Sequence, residues 1–118
     1  MPDKDYDYCK IFVKNASFDE LQSLMVDAFG GDFNIRTMQF DGYSIDIEKN
    51  TTVTEEGSED FVQWPVFIEF FGEDDRPEGV AVEVVTRILN SLWGNGVRAV
   101  AACDFEDELP WSGGIARP

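Results

Sequence analysis

The chain contains no histidine. That absence removes histidine acid–base catalysis, Ser–His and Cys–His nucleophile pairs, and nearly every common zinc or iron site. Cysteine is scarce as well. Cys9 and Cys103 are the only two, too few for a disulfide scaffold or a zinc site with cysteine ligands alone. No run of about 18 apolar residues occurs, so no membrane-spanning helix is expected. The opening MPDKDYDYCK lacks the apolar stretch of a secretory signal, and the expectation is a cytoplasmic protein. The glycine pairs Gly30-Gly31 and Gly113-Gly114 fit neither a GxxxxGK nor a GxGxxG phosphate loop. Cations are few: 9 Lys and Arg stand against 24 Asp and Glu, for a formal net charge of -15. Such a field repels nucleic acid and anionic lipid, which are themselves dense anions. It draws basic surfaces in and speeds their encounter.

What is present is enough for one core. The chain has 118 residues, a hydrophobic fraction of 43% and ten Phe, which excludes a disordered protein and fits a single α+β domain over residues 1–118. YCKIFVK at 8–14 alternates as a strand does, with Cys9, Ile11 and Val13 on one face. NASFDELQSLMVDAFGG then carries helix signals at both ends. Ser17 and Glu20 form a capping box, and Gly30 permits the left-handed stop. Phe18, Leu21, Met25 and Ala28 make its apolar stripe. Asp41-Gly42 predicts a hairpin that sets Phe40 opposite Tyr43 and Met38 opposite Ile45, with Gln39, Ser44, Thr37, Asp46 and Glu48 on the polar face; the alternative is a single long strand bent at Gly42. A polar loop, TTVTEEGSED, precedes a strand over FVQWPVFIEFFGED, and Pro65 sits near its start. A second helix begins near Pro77 and buries Ala81, Val84 or Val85, Ile88 and Leu92. VRAVAACDF is the last strand. The order predicts a split β-α-β, ferredoxin-like arrangement: a mainly antiparallel sheet of four to five strands with both helices on one face. First and last strands are then neighbours, and Cys9 approaches Cys103. Both are expected as buried, reduced thiols, with no cationic pocket to activate either.

The acids gather in three places. Asp104, Glu106, Asp107 and Glu108 follow the last strand, with Leu109 and Trp111 beside them. Glu73, Asp74 and Asp75 precede the second helix, in keeping with capping and the helix dipole. Asp3, Asp5 and Asp7 alternate with Tyr6 and Tyr8 at the N-terminus. If the first strand starts where the last one ends, the first and third groups meet as one anionic face set with Tyr6, Tyr8 and Trp111. Spacing argues against a metal site in the C-terminal group. An extended strand throws Asp104 and Glu106 to one side and Asp107 to the other, and the glycine and final Glu of a calcium loop are missing. No catalytic residue, metal or cofactor is therefore expected. Clustered acids beside an aromatic suit an interface. The competing expectation is a tail that folds back with Trp111 covering the sheet edge.

A short acidic chain with this strand–helix–hairpin–helix–strand order, ending in VAACDFEDELPWSGG, resembles the small bacterial immunity-type proteins encoded beside secreted polymorphic toxins. The resemblance implies a cytoplasmic protein that binds and blocks one toxin, often a nuclease or another basic enzyme. It carries over no individual residue. The expected function is a non-enzymatic acidic inhibitor that binds a basic protein partner through Asp104, Glu106, Asp107, Glu108 and Trp111, with Asp5 and Asp7 at the rim. A nucleic-acid mimic is a variant of this, with acids spaced like phosphates along a face. The alternative from another class is a small ligand-binding or enzymatic α+β domain, dimeric through its sheet, in which Tyr8, Phe12 or the hairpin aromatics stack a ligand on the open sheet face.

Overall fold

A computed structural model describes residues 5–72, 78–115 and 117. Asp3, Glu73, Asp74, Asp75 and Pro77, singled out above, lie outside the described residues. Local signals set the first helix, α1 (Phe18–Phe29). The Ser17 hydroxyl accepts the Glu20 N–H at 3.2 Å, and the Glu20 carboxylate accepts the Ser17 N–H at 3.3 Å. Two of the orphan donors at the helix start are thereby satisfied. At the other end Gly30 turns left-handed (φ 73°) and its N–H returns to the Val26 carbonyl.

Alternating apolar residues make the strands β1 (Tyr8–Lys14), β2 (Thr37–Phe40), β3 (Tyr43–Lys49), β4 (Val66–Gly72) and β5 (Arg98–Ala102). The second helix, α2, is Glu78–Gly94. The fold is α+β: two helices and a five-stranded antiparallel sheet in the order β2-β3-β4-β1-β5. The hairpin register is the one expected from Asp41-Gly42, with Phe40 opposite Tyr43, Met38 opposite Ile45, and Thr37 opposite Asp46. Cys9, Ile11 and Val13 of β1, Ile45 and Ile47 of β3, Ile68 and Phe70 of β4, and Ala99 and Ala101 of β5 share one cluster with Leu21 and Met25 of α1 and with Val85, Ile88, Leu89 and Leu92 of α2. Both helices thus cover the same face of the sheet. Each large apolar side chain buried there contributes about 1.5–3 kcal/mol.

The opposite face is different. Phe12, Trp64 and Val100 form a small second cluster, flanked by Phe61 and Phe67. Phe12, Val100 and Phe67 come from the sheet, and Trp64 and Phe61 from the connection that covers them, residues 50–64, which is organised by one buried polar side chain. Asn50 donates to the Val62 and Trp64 carbonyls at 3.1 and 2.8 Å and accepts from the Thr52 hydroxyl at 2.7 Å. Those bonds correct the expectation that the fourth strand begins at Phe61. Two carbonyls needed for a ladder are taken by Asn50, so Phe61–Gln63 is a 3₁₀ turn and the strand starts at Val66, after Pro65. Glu59 ties the connection to β5 and β1 through Arg98 at 2.7 Å and Lys14 at 3.6 Å. Arg98, and then Lys14, hold its carboxyl below the usual carboxylate range. Among the described residues no helix is long and apolar enough to cross a membrane.

Candidate protein-partner interface

Just past β5 the chain turns on two buried anchors. Phe105 is fully buried and Leu109 nearly so. Between them Glu106–Glu108 makes one 3₁₀ turn, closed by Glu108 N–H to the Phe105 carbonyl at 2.9 Å and Leu109 N–H to the Glu106 carbonyl at 3.1 Å. With both apolar residues turned in, Asp104, Glu106, Asp107 and Glu108 are left exposed on one short segment. Removing the two anchors from water stabilises the turn and holds the acids out.

The N-terminal segment docks onto this turn. Tyr6 stacks on Phe105 with ring centroids 5.2 Å apart and planes 17° off parallel, an offset arrangement worth about 0.5–1.5 kcal/mol beyond burial. Its hydroxyl donates to the Glu108 carboxylate at 2.5 Å. The Asp5 N–H donates to the Asp104 carboxylate at 2.9 Å, and the Asp7 N–H to the Asp5 carboxylate at 2.8 Å. The Gly72 N–H, in turn, bonds the Asp7 carbonyl at 2.8 Å. The structure therefore brings Asp5, with Asp7 joined to it, onto the surface that carries Asp104 and Glu108. Tyr8 does not belong to it. It lies on the far face of the sheet, its hydroxyl bonded to Glu69 at 2.5 Å, and burial and that carboxylate push its pKa well up.

Trp111 sits at the start of a second turn, Pro110–Gly114, where Trp111, Ser112 and Gly113 are all left-handed, with φ of 56°, 52° and 82°. For Trp and Ser this backbone costs roughly 1–2 kcal/mol each. The following glycines explain why it persists. A Cβ on Gly113 would lie 2.8 Å from the Ala101 carbonyl oxygen, and one on Gly114 2.5 Å from that of Ala99. The tail thus folds back and covers the edge of β5, an edge that would otherwise invite pairing with another chain. The glycines make that cover. Trp111, expected there in the folded-back alternative, is instead 54% exposed.

Three further findings were not foreseen. Asp46, Glu48 and Glu69 lie half-buried on the open face with one carboxylate oxygen from each within 4.8 Å of the others. Arg36 holds Glu48 at 2.8 Å. Their alternation with Ile45, Ile47 and Ile68 marks the face, but their proximity follows from the β3–β4 register. Second, the aromatics proposed for stacking a ligand are already engaged. Phe12 is buried, with Phe61 at 5.4 Å and Phe67 at 6.4 Å, and Phe40 stacks on Tyr43 at 4.8 Å beside Phe29. Third, the thiols differ. Cys9 is buried, but Cys103 is only half-buried. Its bond to Cys103, and then burial, push the Cys9 thiol far up. The Cys9 thiol, with help from the Phe105 N–H, draws Cys103 down, against burial and the charges of Glu106 and Asp104. The lowering at Cys103 comes from hydrogen bonding, to the Cys9 thiol and then the Phe105 N–H, with no cation among its causes.

Compared with protein-family models, curated proteins and solved structures, the chain matches none.

Proposed function

We propose that the protein is a non-enzymatic, cytoplasmic inhibitor that binds and blocks a basic protein, in the manner of a bacterial immunity protein facing its toxin. The observation that carries this reading is the convergence of the two chain ends. Asp5 and Asp104, joined backbone to carboxylate at 2.9 Å, unite two acidic segments beside an exposed tryptophan. The acids supply acceptors for Lys and Arg and steer a basic partner in, in a chain of net charge -15. Trp111 is the anchor that would enter a partner pocket, where aromatic residues dominate binding energy. Its left-handed backbone fixes the direction in which its Cα–Cβ bond leaves the chain. The same charge disfavours nucleic acid and anionic membranes as ligands. Asp104, Glu106, Asp107 and Glu108 are gathered on one short segment, which supports a compact interface over a nucleic-acid mimic. The strand order, with β4 between β1 and β3 and β1 between β4 and β5, supports reading the fold as a split β-α-β, ferredoxin-like arrangement with β2 added at the edge.

A second reading, a small-ligand domain, has one observation in its favour. A cleft of about 230 Å³ is lined by Trp64, Trp93 and Arg98, and the Trp64 indole N–H is buried without a partner among the described residues. Ligand clefts usually hold about 300–1,000 Å³, so this one is small for that use.

The test is a photo-crosslinking amino acid placed at position 111 and, as control, at position 35, where Ile35 is also exposed. In lysate of the native host the proposal expects one basic protein joined at 111 and not at 35, with a yield that falls as salt rises. Equal adducts at both positions, or none at 111, contradict it. A large toxin gene immediately upstream of the coding sequence supports the immunity reading specifically.

A further inference from the structure

We propose that Cys103 is a site of reversible oxidation and that Cys9 resolves it, closing an intramolecular disulfide between β1 and the base of the acidic turn. The inference is independent of any partner. It starts from register. β1 and β5 pair with Ile11 opposite Ala101 and Lys10 opposite Ala102. Carried one residue past the end of β5 at Ala102, the same antiparallel register would set Cys9 opposite Cys103. Residues so opposed have Cα atoms about 4.5–5.5 Å apart, inside the range of about 4.4–6.8 Å that a disulfide spans. Both side chains also point to the same side of the sheet, since both belong to the cluster beneath the helices.

The pair is asymmetric in a way that assigns the roles. Cys103 is reachable from solvent, and Cys9 is fully buried. The Cys9 thiol and the Phe105 N–H favour the Cys103 thiolate, whereas Cys9 keeps its proton. Glu106 and Asp104 stand beside Cys103, and their charges disfavour anionic oxidants such as glutathione disulfide. A small neutral hydroperoxide is the oxidant class that fits. Cys103 first gives its proton to solvent; its thiolate attacks one peroxide oxygen, the O–O bond breaks, and the hydroxide that leaves takes up that proton and becomes the first water. Cys103 is then a sulfenic acid, oxidised by two electrons. The Cys9 sulfur attacks the Cys103 sulfur, the S–O bond breaks, and the departing hydroxide takes the Cys9 proton. The sum is two thiols and one hydrogen peroxide giving one disulfide and two waters. The disulfide would staple the start of β1, just after Asp5 and Asp7, to the segment that leads through Asp104 into the Glu106–Glu108 turn.

The full chain is treated with hydrogen peroxide at neutral pH, quenched, and analysed by intact mass and by a non-reducing peptide map. The expected result is joint loss of both thiols, a mass lower by two hydrogens, a Cys9 peptide linked to a Cys103 peptide, and full reversal by dithiothreitol. In Cys9→Ala the reaction stops at a Cys103 sulfenic acid trapped by dimedone, and in Cys103→Ser the Cys9 thiol survives. The proposal is overturned if both wild-type thiols persist under peroxide that oxidises free cysteine. It is also overturned if Cys103 gains oxygen while Cys9 stays free, or if the disulfides formed join two chains.

Discussion

Phe105→Ala removes the side chain on which the acidic surface is assembled. Phe105 is fully buried, and it carries the stacked Tyr6 ring at 5.2 Å. Truncating a buried Phe to Ala costs about 3–5 kcal/mol, the lost transfer of the ring plus the cavity left behind. With about 2.1 cal/mol/K of unfolding entropy per residue over 118 residues, the melting temperature should fall by roughly 12–20 °C. A domain with about 8 kcal/mol or more, within the ordinary range of about 5–15 kcal/mol, stays folded at room temperature after this loss. The assay is thermal melting followed by circular dichroism, with Trp111→Ala as the comparison. Trp111 is exposed, so its removal should change stability by no more than about 0.5 kcal/mol. A Phe105→Ala shift of less than about 4 °C, or a Trp111→Ala shift just as large, would refute the division between buried anchor and presented tryptophan.

The other predictions concern the tail, the core, the helix cap and the open face. Gly114→Ala forces a Cβ to within 2.5 Å of the Ala99 oxygen at a φ of +108°. It should destabilise by about 1–3 kcal/mol or more in urea titration, and an unchanged midpoint would contradict the edge cover. Leu92→Ala and Leu21→Ala, both at fully buried positions, should each cost about 2–5 kcal/mol by the same titration. Either remaining silent would contradict the packing of both helices on one face. Ser17→Ala deletes the capping hydroxyl and should cost about 0.5–2 kcal/mol, read as faster amide exchange in the first turn of α1. Tyr8 has its pKa raised above the ordinary 10.0 by burial and by Glu69. The fold therefore favours the neutral phenol. Below pH 10.0 that preference leaves stability unchanged; above it the unfolded tyrosine ionises first and stability falls as pH rises. Tyr8→Phe should flatten that alkaline loss in denaturant midpoints, and an unaltered slope would count against it.

Much of the fold was legible because its signals are local. Ser17 and Glu20 lie one helical turn apart, and Gly30 follows the last apolar residue of α1. Asp41-Gly42 sets a register in which the apolar residues share a face, so slipping by one would expose them all. What was illegible depends on contacts between distant parts of the chain. The one local mark of a 3₁₀ turn at FVQW is the Asp60 cap before it; Asn50, reaching across the connection, takes the carbonyls a strand would need. The left-handed run at Trp111 and Ser112 is held by the approach of Gly113 and Gly114 to β5, visible only once the edge strand is in place. The meeting of Asp5 with Asp104 could be anticipated from the pairing of the first strand with the last. The depressed thiol of Cys103 could not, since it depends on where Cys9 and the Phe105 N–H point. Tyr8 was assigned to the acidic surface because it alternates with the N-terminal acids. The strand pleat sends it to the opposite side, where it meets Phe71 and Glu69.

The most direct test of the central claim is the association rate of the protein with the partner captured at position 111, measured at low and at physiological salt. Wild type is compared with the variant in which Asp104, Glu106, Asp107 and Glu108 become amides. Screening acts over about 8–10 Å at physiological salt, so the wild-type rate should fall steeply as salt rises, and the amide variant should associate slowly at both salts. A wild-type rate that ignores salt, together with wild-type affinity for the amide variant, would contradict the account and leave the acidic turn as a solvated surface.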